Sequence, residues 1–464
     1  MTSNASSTGL RGNCLSFPEV LIQSVGTIAP SLTAAINIGI VFGSSGNGTW
    51  MAYAIGTIGL ILVAYNINHF ATQFGSSPGA LYLYIARAFS PFWGIIAGWG
   101  LVFSYLIIFA DVVAGFSYYA NLIFADLGFN IPSILLYIIS IIVVTHYSAD
   151  VQISTVMIFI VQLISIGGIL LLALIALVNQ GFTVDSSQLL LADTSINGIG
   201  FGAAIAIVSF VGFESCISLG KEAKNSTTSI PRSLIWSVVS SGLFFILLAY
   251  IEVIGFQAYP KLLETSAPLY AISQLAGMQE VGWFVNSVIL FTFIGCAIAS
   301  LNAGSRIMFS LACNKFFPRK LTYVNPKSQT PYMAMRLLSA IGFLIVTVMQ
   351  IFGISDLDIF GYLGTMATYG FLFIYVLVSL AAPIYLAQRG KLKLQHKVFS
   401  ILAVLFISIP ITSSFYPVPP YPFSLFPYLF LIYLGVGAFL YIRSRSQAQS
   451  VAVSVMSELN RIDG

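Results

Sequence analysis

The feature that most restricts this chain is a succession of apolar blocks, each approaching or exceeding the ~20 residues that carry a helix across a ~30 Å hydrocarbon layer. Residues 131–145 and 234–251 are two of them. The remainder offers no water-facing surface to balance them. Of 464 residues, 58% are hydrophobic and 7% charged, against about half and about a quarter in soluble proteins. The blocks are therefore membrane helices. Divided at Gly, Pro, Asn and charged residues, they give about twelve spans. These begin near Phe17, Trp50, Phe92, Pro132, Val151, Gly198, Leu234, Val281, Tyr332, Asp358, Val398 and Phe423. The expected fold class is all-α integral membrane.

Charge supports the count. With twelve spans and a cytoplasmic N-terminus, 18 of the 19 lysines and arginines fall in inside loops or at inside helix ends, among them Arg11, Arg87, Lys221, Arg306, Lys315 and Arg443, and Lys261 alone falls outside. One span more or fewer would scatter them, against the positive-inside rule. Both termini are thus expected in the cytoplasm, as tails 1–16 and 444–464 of a multi-pass protein of the plasma or inner membrane. The formal net charge of +4 follows from topology and is no nucleic-acid signal. The Ser/Asn/Gly-rich start reads as no cleaved leader. Cys14, Cys216, Cys296 and Cys313 have no paired spacing, so neither a disulfide framework nor a metal site is expected. The partners expected are the bilayer and a small molecule, with monomer and homodimer both open.

Interruptions in lipid point to function, because a freed backbone group must find protein, water or ligand. The first span carries Gly26 and Pro30 near its middle. Gly26 permits unusual dihedrals, and Pro30 lacks an N–H and clashes with the preceding turn; read alone, this is equally a simple kink. The sixth span sets Gly212 beside an intramembrane carboxylate, Glu214. Helices one and six are equivalent positions if the first five spans (17–178) are repeated, inverted, by the next five (198–386), leaving two further helices (397–443). In that architecture paired discontinuous helices face the substrate.

Four segments resemble the amino acid/polyamine/organocation (APC) transporter superfamily: Ser77-Pro-Gly-Ala-Leu-Tyr-Leu-Tyr84 with Gly94-Ile-Ile-Ala-Gly-Trp99; Phe210-Val-Gly-Phe-Glu214 with Lys221-Glu-Ala-Lys-Asn225 and Ile230-Pro-Arg232; Ser300-Leu-Asn-Ala-Gly-Ser-Arg306 running to Phe317-Pro318; and Gly361-Tyr-Leu-Gly-Thr365. The resemblance covers about residues 15–445. It implies the five-plus-five inverted repeat and a substrate held between helices one, three, six, eight and ten. By matching positions, Gly26, Thr27, Ala29, Pro30 and Ser31 belong to an unwound stretch 26–32 whose N–H groups cradle a carboxylate. Ser104 and Tyr105 face the substrate from helix three, and Ser300 from helix eight. Val208 lies over the substrate, and carbonyls of Phe210, Val211 and Gly212 receive its amino group. Two departures matter. Ala29-Pro30-Ser31 replaces a glycine-rich turn, and Val208 stands where some relatives have an aromatic lid, so the amine is better founded than the carboxylate.

Charges within the spans are few. No Lys or Arg occurs between Arg87 and Lys221, so helix five offers only Gln152 and Gln162 where some relatives use a lysine for coupling. A coupling ion, H+ or Na+, would need a carboxylate or its own site; exchange needs neither. Asp111, deep in helix three, costs roughly 2.5–3.5 kcal/mol if ionised. It shares a face with Ser104 and Ile108, and receives a substrate amine or a proton, or is a protonated interhelical bond. Glu214 reads as a bond to the freed backbone or a proton carrier. Glu252 reads as a snorkelling or interhelical group, and Arg306 as the partner of a cytoplasmic-gate acid or a backbone carbonyl.

Other signals are rejected. Gly43-Ser-Ser-Gly-Asn-Gly48 has no following Lys and no preceding strand, so it is a turn and not a phosphate loop. Asn47-Gly-Thr49 lies too near lipid for glycosylation. His69, His146 and His396 have no ligand spacing. No nucleophile or acid–base pair supports an enzyme, no cofactor is called for, and no filter repeat or charged ring supports a channel. A sequence of this kind moves an amino acid, with a polyamine or other amine as the alternative and a non-transporting sensor as the remaining rival.

Overall fold

The computed structural model describes residues 9–74, 77, 81–179, 181, 184–258, 279–443 and 445–463; Lys261, assigned above to the outside, lies beyond them. With no water in a bilayer core, the backbone must pair within each segment, and the chain is helical. Among the described residues no strand forms, apart from one parallel bridge between Leu15 and Ala223. The helices are α1 Phe17–Ile28, α2 Ile38–Ser45, α3 Thr49–Phe74, α4 Leu81–Ala88, α5 Pro91–Asp126, α6 Ser133–Ser148, α7 Val151–Asn179, α8 Ile196–Val208, α9 Ser226–Ala258, α10 Gln279–Cys313, α11 Tyr332–Ile351, α12 Asp356–Gln388, α13 Leu394–Ser413, α14 Phe426–Ile442 and α15 Arg445–Asp463.

Nine helical runs among the described residues are long and apolar enough to cross a membrane, and α6 and α8 are shorter apolar helices. The first run, 17–74, has 58 residues, which as one straight helix would extend ~87 Å at 1.5 Å per residue. It is broken instead. Gly46 adopts φ 51°, ψ −129°, a region closed to residues with a Cβ, and a 3-10 turn, Gly46–Gly48, leads into α3.

α1 starts where the sequence dictates: Ser16 N–H donates to Glu19 Oε2 at 2.6 Å, with Pro18 in the first turn. It ends at Ile28, because Ala29 adopts the left-handed conformation, φ 49°, ψ 64°. This corrects the expectation of an unwound stretch starting at Gly26. Pro30 bars the residue before it from the right-handed helical region, so the break falls on Ala29. Gly26 remains helical and serves close approach, since a Cβ there would lie 2.4 Å from Ile158 Cγ2 of α7. Beyond Pro30 the chain resumes as one turn, Pro30–Leu32, and a π-helical stretch, Thr33–Asn37, a form frequent at functional sites.

At the centre, α5 packs along α10 and α12, while α3 packs on α9 and α8. One polar knot ties the start of α12 to α5 and α6: Asp356 accepts from Ser117 Oγ (2.6 Å), Ser133 Oγ (2.8 Å) and the Tyr137 hydroxyl. The periphery is apolar, with Leu163 of α7, Leu405 of α13 and Phe439 of α14 all exposed, as lipid contact requires. The segment after α14, expected as a simple tail, forms α15. Its Val451, Val455 and Leu459 repeat every four residues and are buried, giving the stripe that docks it against α4 and α5.

Candidate functional site

The second interruption follows α8. After Val208 the backbone turns through Ser209 to Glu214 before a 3-10 segment, Ser215–Leu219. Gly212 has φ +85°, and a Cβ on it would lie 2.3 Å from Thr27 Cγ2, so both its dihedral and its neighbour demand glycine. The two interruptions thus touch. Thr27 Oγ1 lies 2.9 Å from Ser215 Oγ, and Cys216 N–H donates to Ser24 Oγ at 3.1 Å.

Glu214 is buried and accepts hydrogen bonds from Tyr105 of α5 (2.8 Å) and Tyr375 of α12 (2.6 Å). The Tyr375 hydroxyl in turn accepts the Gly212 N–H at 3.2 Å. Its side-chain donors are therefore tyrosines, and one of them, Tyr375, also takes up the freed Gly212 N–H. Sequence reasoning named Tyr105 as facing substrate; the structure turns it to Glu214, beside a void of about 10 Å³.

A cavity of about 540 Å³ lies against both interruptions and extends to the partly exposed Leu357 and Phe423. Of the sequence-derived residues, Thr27, Ala29, Asp111, Val208 and Val211 line it. Gly26, Pro30, Ser31, Ser104, Phe210, Gly212 and Ser300 do not. Ser104 packs against Gly370 of α12, and Phe210 meets the Phe245 ring edge-on at 4.9 Å. Sequence reasoning missed the cavity's other polar groups: Thr33, Asn37, Ser209, Thr365 and Thr368. Helical spacing relates four of them in two pairs. Asn37 lies one turn after Thr33, and Thr368 one turn after Thr365, just past the Gly361–Thr365 segment already singled out.

Asp111 is the cavity's one charged residue among those described. Its Oδ1 is buried without a hydrogen-bond partner, and Gly364 of α12 packs against the carboxyl, with its Cβ position 3.3 Å from Oδ1. Among the described residues, no Lys, Arg or His lines the cavity. N–H groups at the α1 break are scarce. Ala29 donates to Val25 O (2.9 Å), Leu32 and Thr33 both donate to Ala29 O (2.9 and 3.4 Å), and Pro30 has no N–H. Among the described residues, no group of three or more His, Cys, Asp or Glu could hold a metal ion.

The opposite end of the bundle is shut. Arg306 of α10 donates from Nε to Glu222 Oε1 at 2.7 Å, both side chains wholly buried, and from Nη1 to Asn302 O at 3.0 Å. Both partners expected for Arg306, an acid and a carbonyl, are present. Residues 9–16 lie across this end as a strap. Cys14 and Leu15 N–H groups donate to Glu222 O (2.8 and 2.9 Å), and Lys224 N–H returns a bond to Leu15 O (2.8 Å). Arg11 pairs with Asp150 at 3.4 Å, and its N–H donates to Gln329 O at 3.3 Å.

Discontinuous helices meeting at a cavity inside an apolar bundle define a membrane transporter. The chain belongs to the amino acid permease family, whose model matches residues 19–443. It is 25% identical over 361 residues, 75% of this chain and 77% of the relative, to the low-affinity putrescine importer PlaP of Escherichia coli (strain K12). It is 26% identical over 372 residues, 76% and 78% of the two chains, to the serine/threonine exchanger SteT of Bacillus subtilis (strain 168). The crystal structure of the Eremococcus coleocola manganese transporter shares the fold, with a TM-score of 0.57 over 94% of each chain at 12% identity.

Proposed function

We propose that this chain is a secondary transporter that carries an amino acid across the cell membrane by alternating access. The observation that carries the reading is the meeting of both broken helices with one carboxylate, Asp111, at a single cavity of about 540 Å³, within the ~300–1,000 Å³ of small-molecule sites. The substrate ammonium faces Asp111, and its apolar part faces Ile108, Val208 and Phe360. Counting the run 17–74 as two spans at Gly46, and adding α6 and α8 to the other eight, gives twelve, which supports the five-plus-five plan with two further helices. The lysine and arginine distribution supports cytoplasmic termini. On that orientation the strap closes the cytoplasmic side, and the cavity opens outward.

A second reading, a polyamine or other amine without a carboxylate, is favoured by one observation: among the described residues the cavity holds a carboxylate and no cation, and the α1 turn has few N–H groups to offer. Radiolabelled serine, valine and putrescine presented to proteoliposomes, with and without Na+ and pH gradients and with and without internal substrate, decide between them. Uptake of serine or valine supports the first reading, and uptake of putrescine alone the second. Binding with neither uptake nor exchange would make the protein a sensor and sink the proposal.

A further inference from the structure

We propose that Asn37 and Ser209 form the subsite that receives the substrate's carboxylate, on a separate wall of the cavity from Asp111. This role rests on the transport reading above. An amino acid brings a carboxylate into a cavity that has no Lys, Arg or His among the described residues. The α1 turn does little for it: Pro30 lacks an N–H, and the Ala29, Leu32 and Thr33 amides are spent on backbone carbonyls. Neutral side-chain donors must take it instead.

The wall built by α5 and α12 does not provide them. Beside Asp111, the Thr365 and Thr368 hydroxyls donate to Gly361 O (2.8 Å) and Gly364 O (2.9 Å). Their protons are committed, so they offer a ligand lone pairs alone. Three acceptors on one wall suit an ammonium, which carries three donors and no acceptor. A carboxylate there would meet only oxygen.

The wall built by the chain after Ala29 and by the end of α8 has the opposite character. Ala29, Thr33 and Asn37 follow one another at four-residue spacing into the π-helical stretch, and all three line the cavity with Ser209. Asn37 Nδ2 donates to Ser209 Oγ at 3.2 Å, and the Tyr53 hydroxyl of α3 lies 3.4 Å from the same oxygen. Tyr53 is wholly buried and does not line the cavity, its ring packs on Phe245 at 5.4 Å, and Ser209 is its hydroxyl's one partner among the described residues. An unpaired buried donor is costly, so the Tyr53 proton goes to Ser209. Ser209 Oγ then accepts two bonds and keeps its own proton free, and Asn37 has a second N–H. Two free donors stand together at the cavity wall, against one acceptor, Asn37 Oδ1. A carboxylate takes both donors, whereas a second ammonium finds one neutral acceptor. Ser209 also lies three residues before Gly212, whose Cβ position is 2.3 Å from Thr27 Cγ2, so the pair sits beside the break that lacks donors of its own. An amino acid carries its own cation, and neutral donors therefore suffice.

The test uses the full-length protein in proteoliposomes. Whichever of labelled serine or valine is taken up is competed by its own acid and by the matching amide, serinamide or valinamide, which keeps the ammonium and loses the carboxylate. In the wild type the acid should compete about 10- to 100-fold better than the amide. Asn37→Ala and Ser209→Ala should each weaken the acid about tenfold and leave the amide unchanged, and the surviving amide competition shows that the variants are folded. Asn37→Asp, which keeps the shape and adds a negative charge, should put the amide ahead of the acid. An acid preference that survives Asn37→Asp overturns the subsite, as does an equal loss of acid and amide in the alanine variants. A wild type that moves putrescine alone overturns the subsite and leaves transport standing. A wild type that moves no probe defeats the transport reading instead; binding of labelled serine and valine to the purified protein, competed by the same amides, then decides the subsite, and binding of neither overturns it.

Discussion

Replacing Glu222 by Gln should open the strapped end of the bundle, and the size of the effect follows from its surroundings. Arg306 and Glu222 are both fully buried, with Nε and Oε1 2.7 Å apart. The substituted amide would keep the shape and strand the guanidinium without a counter-charge, a loss of about 3–5 kcal/mol. Glu222 Oε2 and Arg306 Nη2 already lack partners, which places the pair at the lower end, near ~3 kcal/mol. If the pair forms only while this end is closed, the open population rises on the order of 100-fold. Cys14 reports it, because its N–H is bonded to Glu222 O. Cys216 and Cys296 are buried, and the exposed Cys313 is replaced by Ser. A membrane-impermeant maleimide then reads the opening as a labelling rate. Partial burial and the Glu222 charge both hold the Cys14 thiol above its ordinary value, so removing that charge speeds labelling on its own. Rates are therefore compared at their high-pH plateau. A plateau less than about threefold faster than wild type would refute the reasoning, as would a double variant, Glu222→Leu with Arg306→Met, that is as fast as Glu222→Gln.

Two backbone substitutions should have opposite signs. Gly212→Ala places a Cβ at φ +85° and 2.3 Å from Thr27, which should cost more than ~2 kcal/mol and lower both the thermal midpoint and uptake. Ala29→Gly should raise the midpoint slightly, because relief of left-handed strain (~1–2 kcal/mol) exceeds the added freedom of the unfolded chain (~0.5–1 kcal/mol). Asp111→Asn should weaken substrate binding about 10- to 150-fold, the worth of one charge-assisted bond at ~1.5–3 kcal/mol; competition uptake that is unchanged would remove Asp111 from the site. At Asp185 burial acts to raise the carboxyl, but bonds from Ser187 and Gln188 outweigh it and hold it below its usual value. Its stabilisation is present above the unfolded value of about 3.9 and lost as pH falls through the folded one. Hydrogen-exchange protection at the Ser187 amide should drop over that interval, and should be pH-independent in Asp185→Asn.

Membrane helices were plain in the sequence because lipid leaves the backbone few options, and the helix-six break was plain because Gly212 meets a dihedral that only glycine fits easily. Helix one shows where local reading stops. Gly26 and Pro30 marked the region, but the left-handed residue is Ala29, chosen by the proline after it, while Gly26 answers to Ile158 on a helix over a hundred residues away. Site residues divided in the same way. Asp111 could be found because a carboxylate in lipid demands a reason. Tyr105 could not be assigned, because only the packing of α5 against α12 decides that its hydroxyl turns to Glu214. Asn37 and Ser209 carry no signal alone, and become part of the site only where α8 ends beside the π-helical stretch.

The strap also bears on how the protein is made. Residues 9–16 leave the ribosome ahead of every partner named for them: Arg11 must wait for Asp150, 139 positions later, Cys14 and Leu15 for Glu222, and the Arg11 backbone for Gln329. Chains are synthesised from the N-terminus at ~5–20 residues per second, so this segment gains its partners one after another, the last of them well into translation. A segment made early is thus fully secured late, and a nascent chain stalled before residue 329 would lack one of the bonds that hold it in the finished protein.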